Sequence, residues 1–227
     1  MKICSAKQYT PEWWAARCGI PTASKAGCIF TSTGAASKQA YAYMCELIGQ
    51  MYDPGYGTSY EPSTLAMEIG SALETHARKA YEFERGVDVT EVGFCTSDDG
   101  AFGGSPDGLI GSDGGLEIKC GIYKTHVEWL LSGRVPPKHM PQIQMALIVT
   151  GRQWWDFMSY AYGMPSLIVR VERDELTDKC EATLRDFVEQ MRATIDKIRA
   201  LGVPAVYSEP EHGNAEIAEA VDHFFDV

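Results

Sequence analysis

Apolar residues recur at two spacings along this chain, and the change from one to the other divides it into elements. At the helical spacing of three or four, Leu65, Ile69, Leu73, Ala77 and then Ala80 or Tyr81 predict a helix over 63–85. A second stripe of Leu176, Cys180, Leu184, Phe187, Val188, Met191, Ile195 and Ile198 predicts a long amphipathic helix over 174–201. That stripe is either core or the seam to a neighbouring subunit. The apolar run QIQMALIVTG (142–151) predicts a buried helix, and SKQAYAYMCELIGQM (37–51) another. Near the N-terminus a short helix starts at Thr10-Pro11 and the chain turns at Gly19-Ile20-Pro21. A second helix follows, capped by Thr22 or Ser24. Strand alternation marks VDVTEVGFC (87–95). Further strands are expected at RQWWDFMSYA (152–161) and SLIVRVER (166–173), adjacent in the sheet, with Trp154 and Trp155 in the core.

This order of elements predicts an α/β or α+β fold, with a mixed, partly antiparallel central sheet flanked by helices. Between two helices lies YDPGYGTSYEPST (52–64), a loop long enough to be functional. Its tyrosines either stack on unpaired bases or pack on their own body. Residues 1–208 are expected to form a single domain. Residues 209–227 form a tail with six acids and no Lys or Arg, which either docks on a partner through Phe224-Phe225 or frays into solvent.

Composition narrows this picture. With 45% hydrophobic residues in a chain of 227, a substantial core is available and disorder is excluded. No apolar run approaches the roughly 18 residues of a membrane span, and MKICSAKQYT lacks a signal-peptide core. Seven cysteines without a C-x-x-C pair read as reduced thiols of a cytoplasmic protein and argue against an iron–sulfur cluster. The net charge of −11 argues against a protein that coats DNA. It is compatible with one that encloses a nucleic acid in a local basic lining.

Candidate chemistry concentrates in FGGSPDGLIGSDGGLEIKC (102–120). Asp-Gly at 107–108 and Asp-Gly-Gly at 113–115 read as turn signals around a short apolar run, which predicts a hairpin that brings Asp107 beside Glu117. In a strand Glu117 and Lys119 share one face and Ile118 the other. Converging carboxylates repel unless a cation joins them. An all-oxygen donor set suits Mg²⁺, with Mn²⁺ able to substitute. A lysine beside such an ion is placed to orient or deprotonate a water that attacks a phosphodiester.

SPDGL (105–109) followed by GLEIKC (115–120) resembles the core of the PD-(D/E)XK nuclease superfamily, specifically the branch of lambda exonuclease and the YqaJ-like viral recombinases. The resemblance implies a restriction-endonuclease-like fold. It also implies a Mg²⁺-dependent 5′-to-3′ exonuclease that digests one strand of linear duplex and leaves 3′ overhangs. Asp107, Glu117 and the Ile118 carbonyl would hold the metal, with Glu74 of Gly70-x(3)-Glu74 as third acid. Lys119 and Gln142 would position the water, although Ala146 stands where the superfamily often has tyrosine. Trp13-x(3)-Arg17-x(4)-Thr22-Ala23-Ser24 is similar to the family's 5′-phosphate segment, so that Arg17, Ser24 and Ser105 would hold the DNA end. Without that likeness, Arg17 reads as a surface residue and Ser24 as a cap beside free helical N–H groups. Further implications are a homotrimeric ring, a single-strand annealing protein as partner, and a phage or prophage gene expressed in a bacterial cytoplasm. The alternatives are a structure-specific or repair endonuclease of the same superfamily, and a catalytically dead DNA- or protein-binding module.

Overall fold

The architecture is set by one seven-residue strand and what covers its two faces. The computed structural model describes residues 1–6, 8, 10–52 and 65–202, with the backbone alone for 65–72. Residues 53–64, nearly all of the tyrosine-rich loop, and the acidic tail 209–227 lie outside the described residues. In chain order the elements are β1 (Lys2–Ile3), α1 (Pro11–Arg17), a 3-10 turn (Ala23–Cys28), α2 (Ala40–Tyr52), α3 (Leu65–Arg85), β2 (Val89–Thr90), β3 (Cys95–Thr96), β4 (Gly103–Gly104), β5 (Gly108–Ile110) and β6 (Gly114–Cys120). Then follow α4 (Tyr123–Ser132), a second 3-10 turn (Pro137–His139), α5 (Met140–Thr150), β7 (Trp154–Tyr160), β8 (Leu167–Glu172) and α6 (Glu175–Leu201). By compactness the chain divides into Met1–Glu189 and Gln190–Val227. Within the second unit the described residues are the last turns of α6 and Gly202.

The main sheet has the order β2-β5-β6-β7-β8, antiparallel except for the central pair β6 and β7. A small sheet, β1-β3-β4, stands apart from it. The mixed α/β architecture and the adjacency of β7 and β8 are those expected from the pattern. On one face of the main sheet Leu116, Ile118 and Met158 pack with Ala77 and Tyr81 of α3. On the other, Leu109, Trp155 and Phe157 pack with Ile143, Ala146 and Leu147 of α5. A polar link reinforces the first layer: the Tyr81 hydroxyl donates to buried Asp156 (2.7 Å), which also accepts a two-pronged bond from Arg170 (2.8 and 3.0 Å). Paired in this way, a buried carboxylate costs little, and it fixes α3 against the sheet.

Several elements depart from the pattern for identifiable reasons. The expected strand 87–95 is two strands in two sheets, because Gly93 passes too close to another segment for any side chain. A Cβ there would stand 2.3 Å from the Ala6 carbonyl oxygen. Gly114 and Gly115, read as part of a turn, lie inside β6 beneath the indoles of Trp154 and Trp155, where a Cβ would meet ring atoms at 2.1–2.5 Å. The hairpin turn itself is Gly111–Asp113, with Gly111 at φ +52°. Trp155 is core, whereas Trp154 is half-buried with Arg170 stacked 3.5 Å from its ring centre. The second N-terminal helix is only the 3-10 turn, with Thr22 at its N-cap position but without a side-chain capping bond. Thr22 is extended, as an N-cap residue is, bridged to Gly103, with its N–H donated to the Tyr43 hydroxyl.

Candidate active site

The β5–β6 hairpin brings Asp107 to Glu117 as its sequence predicts. Gly108 pairs with Leu116, so Asp107 sits just beyond the last rung, level with Glu117. There Asp107 Oδ2 accepts a 2.6 Å bond from the Ile118 N–H. In a strand the N–H and C=O of one residue point to the same side. The Ile118 carbonyl therefore also faces the gap that β5 leaves open, while its side chain is buried under α3. Glu117 and Lys119 emerge on the opposite face, toward α5, and form an ion pair.

These side chains open into one cleft of about 190 Å³. Its wall contains the acid–lysine group Asp107, Glu117 and Lys119 at one end, the bonded group Trp13, Arg17, Ser24 and Ser105 at the other, and Gln142. Ala146, on the turn of α5 after Gln142, also lines it. Of the candidate side chains, seven thus share a single cavity although they come from α1, the 3-10 turn, the hairpin and α5. Glu74 is not in the wall. It belongs to α3, which covers the other face of the sheet, and its Oε1 accepts from Arg78 at 2.8 Å. Asp107 and Lys119 are still close enough to perturb it.

Local sequence explains how the Arg17 end of the cleft is built. Thr10 caps α1 through its side chain (3.3 Å to Trp13 N) and Pro11 opens the helix, both favourable start signals. Trp13 and Arg17, four residues apart, then share a helix face, and the guanidinium lies 4.2 Å from the indole ring centre. Arg17 Nη1 donates to Ser105 Oγ (3.3 Å), Nη2 donates to Ser24 Oγ (3.2 Å), and Trp13 Nε1 also donates to Ser105 Oγ (3.0 Å). Ser105 is carried up to Ser24 because Gly104 is bare: a Cβ there would stand 2.9 Å from that of Ala23. The short 3-10 turn supplies no α-helical N-terminus, so the hydrogen-bond donors gathered here belong to side chains.

Burial sets the electrostatics at the other end. Glu117 is 2% exposed. Burial pushes its carboxyl up to about 7; Lys119 works against the shift, and Asp107 adds to it. Burial and then Asp107 raise Glu74 to about 7, against the pull of Arg78. Asp107 is raised by burial as well, opposed by Lys119. Burial disfavours the Lys119 ammonium, but Glu117 and Asp107 outweigh it and hold its pKa above the ordinary range. Protons or a cation are therefore favoured among these carboxylates.

The donor set fits a hard divalent ion. Glu117 Oε1 is buried and touches Lys119 without a well-directed hydrogen bond, leaving an oxygen poorly satisfied by protein alone. Among the described residues, no three His, Cys, Asp or Glu side chains stand ready as a ligand cluster. Glu74 is turned to Arg78 and Glu117 to Lys119.

Two participants have no obvious motif. Arg78 bonds Glu74, the Asp107 carbonyl and Glu91; its only sequence signal is the i,i+4 spacing from Glu74. Gln8 lines the cleft and donates weakly to the Val92 and Pro106 carbonyls, contacts that depend on the fold alone.

Residues 12–153 match the family model described as the YqaJ-like viral recombinase domain. The chain is similar to an alkaline exonuclease, LHK-Exo, from Laribacter hongkongensis: 37% identity over 84% of this chain and 97% of that one, TM-score 0.73. A structure of LHK-Exo in complex with dAMP matches at 40% identity over the same shares, TM-score 0.72. A phage-related exonuclease from Haemophilus somnus 129PT shares the fold at 16% identity, with 79% of this chain and 96% of that one covered and a TM-score of 0.58. No curated protein sequence matches.

Proposed function

The chain belongs to the YqaJ-like viral recombinase family, and from that premise we propose that it is a Mg²⁺-dependent exonuclease. It digests one strand of linear duplex DNA from the 5′ end and leaves 3′ single-stranded overhangs. The observation that carries this reading is the single cleft in which an acid–lysine group faces a grip suited to a phosphate. A terminal nucleotide in this cleft would set its 5′-phosphate at Arg17 and its scissile 3′-phosphate at Glu117. The capture of dAMP by LHK-Exo, a nucleotide of this class, agrees with it.

Each residue has a distinct task in this mechanism. Asp107, Glu117 and the Ile118 carbonyl, with Glu74 as further acid, would hold the ion, which would supply Lewis-acid polarisation of a phosphoryl oxygen. Lys119, kept as an ammonium by its carboxylate neighbours, orients the attacking water and offsets charge that builds on the phosphate. The Gln142 amide holds that water in line. Arg17 offers its planar fork to the terminal phosphate. Ser105 Oγ already accepts from Trp13 and Arg17, so its own proton is directed to a phosphate oxygen. Such positioning converts a random encounter into a near-attack arrangement.

The domain over 1–208 would act in a homotrimeric ring, in which topology replaces the affinity that a net charge of −11 denies. A single-strand annealing protein would receive the overhangs. The setting is a bacterial cytoplasm with a phage or prophage gene; no described helix is long and apolar enough to cross a membrane. End-labelled linear duplex and a closed circle, each incubated with Mg²⁺, test the proposal. Early loss of the 5′ label with the circle intact is expected. A cut circle would favour the repair or structure-specific endonuclease, and binding without hydrolysis would favour the dead module.

A further inference from the structure

Arg78 is 9% exposed, and it ties together three separate segments around the acidic end of the cleft. Its Nη2 donates to Glu74 Oε1 at 2.8 Å, its Nε to the Asp107 carbonyl at 3.1 Å, and its Nη1 to Glu91 Oε1 at 2.8 Å. α3 lies on one face of the sheet while Glu117 and Lys119 emerge on the other, so Glu74 can join Asp107 only past the end of β5. Arg78 occupies that junction.

We propose that Arg78 is a positioning residue of the metal centre: one rigid guanidinium sets the spacing between Glu74 and Asp107. The proposal rests on the metal reading above. A guanidinium is planar, so the donors it turns to Glu74 and to the Asp107 backbone keep a fixed separation. The bond to the Asp107 carbonyl does not involve the carboxylate and persists whatever that carboxylate binds. It holds the main chain from which Asp107 projects toward the Ile118 N–H. The third bond contributes little, because Glu91 is 71% exposed and such pairs are weak. Lysine at 78 would keep the charge while offering one mobile ammonium in place of two oriented donors. Charge and geometry can therefore be separated.

The test is calorimetric titration of full-length protein with Mn²⁺, alongside a thermal melt of each variant. Arg78→Lys should melt cooperatively yet bind Mn²⁺ about 10- to 100-fold more weakly, the usual effect of losing a partner that orients a ligand. Glu91→Ala should bind as the wild type does. Arg78→Lys binding within twofold of wild type would overturn the proposal, as would an equal loss in Glu91→Ala. If Arg78→Lys does not melt cooperatively, Arg78→Gln is titrated with the same two outcomes. Failure of both to fold would make Arg78 a scaffold residue and end the proposal. A wild-type protein that gives no Mn²⁺ isotherm removes the metal reading itself, whereas wild-type binding with an unchanged Arg78→Lys removes only this inference.

Discussion

Replacing Arg17 by alanine should cost activity in a way that depends on the chemistry of the DNA end. The guanidinium is held by Ser24, Ser105 and the Trp13 ring, so the protein itself orients its fork. A charge-assisted hydrogen bond of this kind is worth about 1.5–3 kcal/mol. At about 1.4 kcal/mol per decade, kcat/KM on 5′-phosphorylated duplex should fall about 10- to 150-fold. On 5′-hydroxyl ends the same substitution should cost only a few-fold, since no terminal phosphate is there to grip. The lost cation–π contact, about 0.5–1 kcal/mol, affects both substrates equally through stability and cancels in their ratio. Arg17→Lys keeps the charge without the fork and should fall between. The assay is initial rate against concentration for matched duplexes with the two end groups, in Mg²⁺, with a melt to confirm folding. Equal losses on both ends would refute the assignment of Arg17 to the terminal phosphate.

Other consequences can be checked alongside. Lys119→Ala and Glu117→Ala should each lower Mg²⁺-dependent digestion by roughly 10²- to 10⁴-fold, and digestion intact in both would end the catalytic assignment. Without metal, Lys119→Ala also strands a buried carboxylate. Chemical denaturation at pH 8 should show a loss on the order of 3–5 kcal/mol, with a smaller loss at pH 6, where Glu117 can take up a proton. Glu74 and Glu117 titrate at about 7 in the metal-free fold against an ordinary 4.5, so the folded state retains protons that the unfolded chain has released. Their contribution to stability is full below about 4.5 and lost as pH rises through about 7. Mg²⁺ competes for the same oxygens, so the Tm increase it produces should be larger at pH 8 than at pH 5.5; the reverse order in a calorimetric scan would contradict the metal reading. Sedimentation at assay concentration should show a trimer, and a monomer would remove the ring.

The hairpin was the most legible part of this molecule, for a physical reason. Asp107, Glu117 and Lys119 lie within thirteen residues, and strand pleat plus a short turn decide their relative directions without help from the rest of the chain. Long amphipathic helices were equally readable, since their periodicity is local. Convergence was different. That Arg17, Ser24 and Gln142 end in the cavity of Glu117 depends on the bridge from Thr22 to Gly103, the close approach at Gly104 and the packing of α5 on Trp155 and Phe157. None of these leaves a periodic signal. Arg78 shows the same limit, because its partners at 91 and 107 are neighbours only after α3 has been fastened to the sheet through Tyr81 and Asp156. Strand 87–95 divides between two sheets, and Gly114-Gly115 lies under indoles, because backbones and rings from distant segments claim the space a side chain would need. Local geometry decided which atoms carry the chemistry, and long-range packing decided which of them meet.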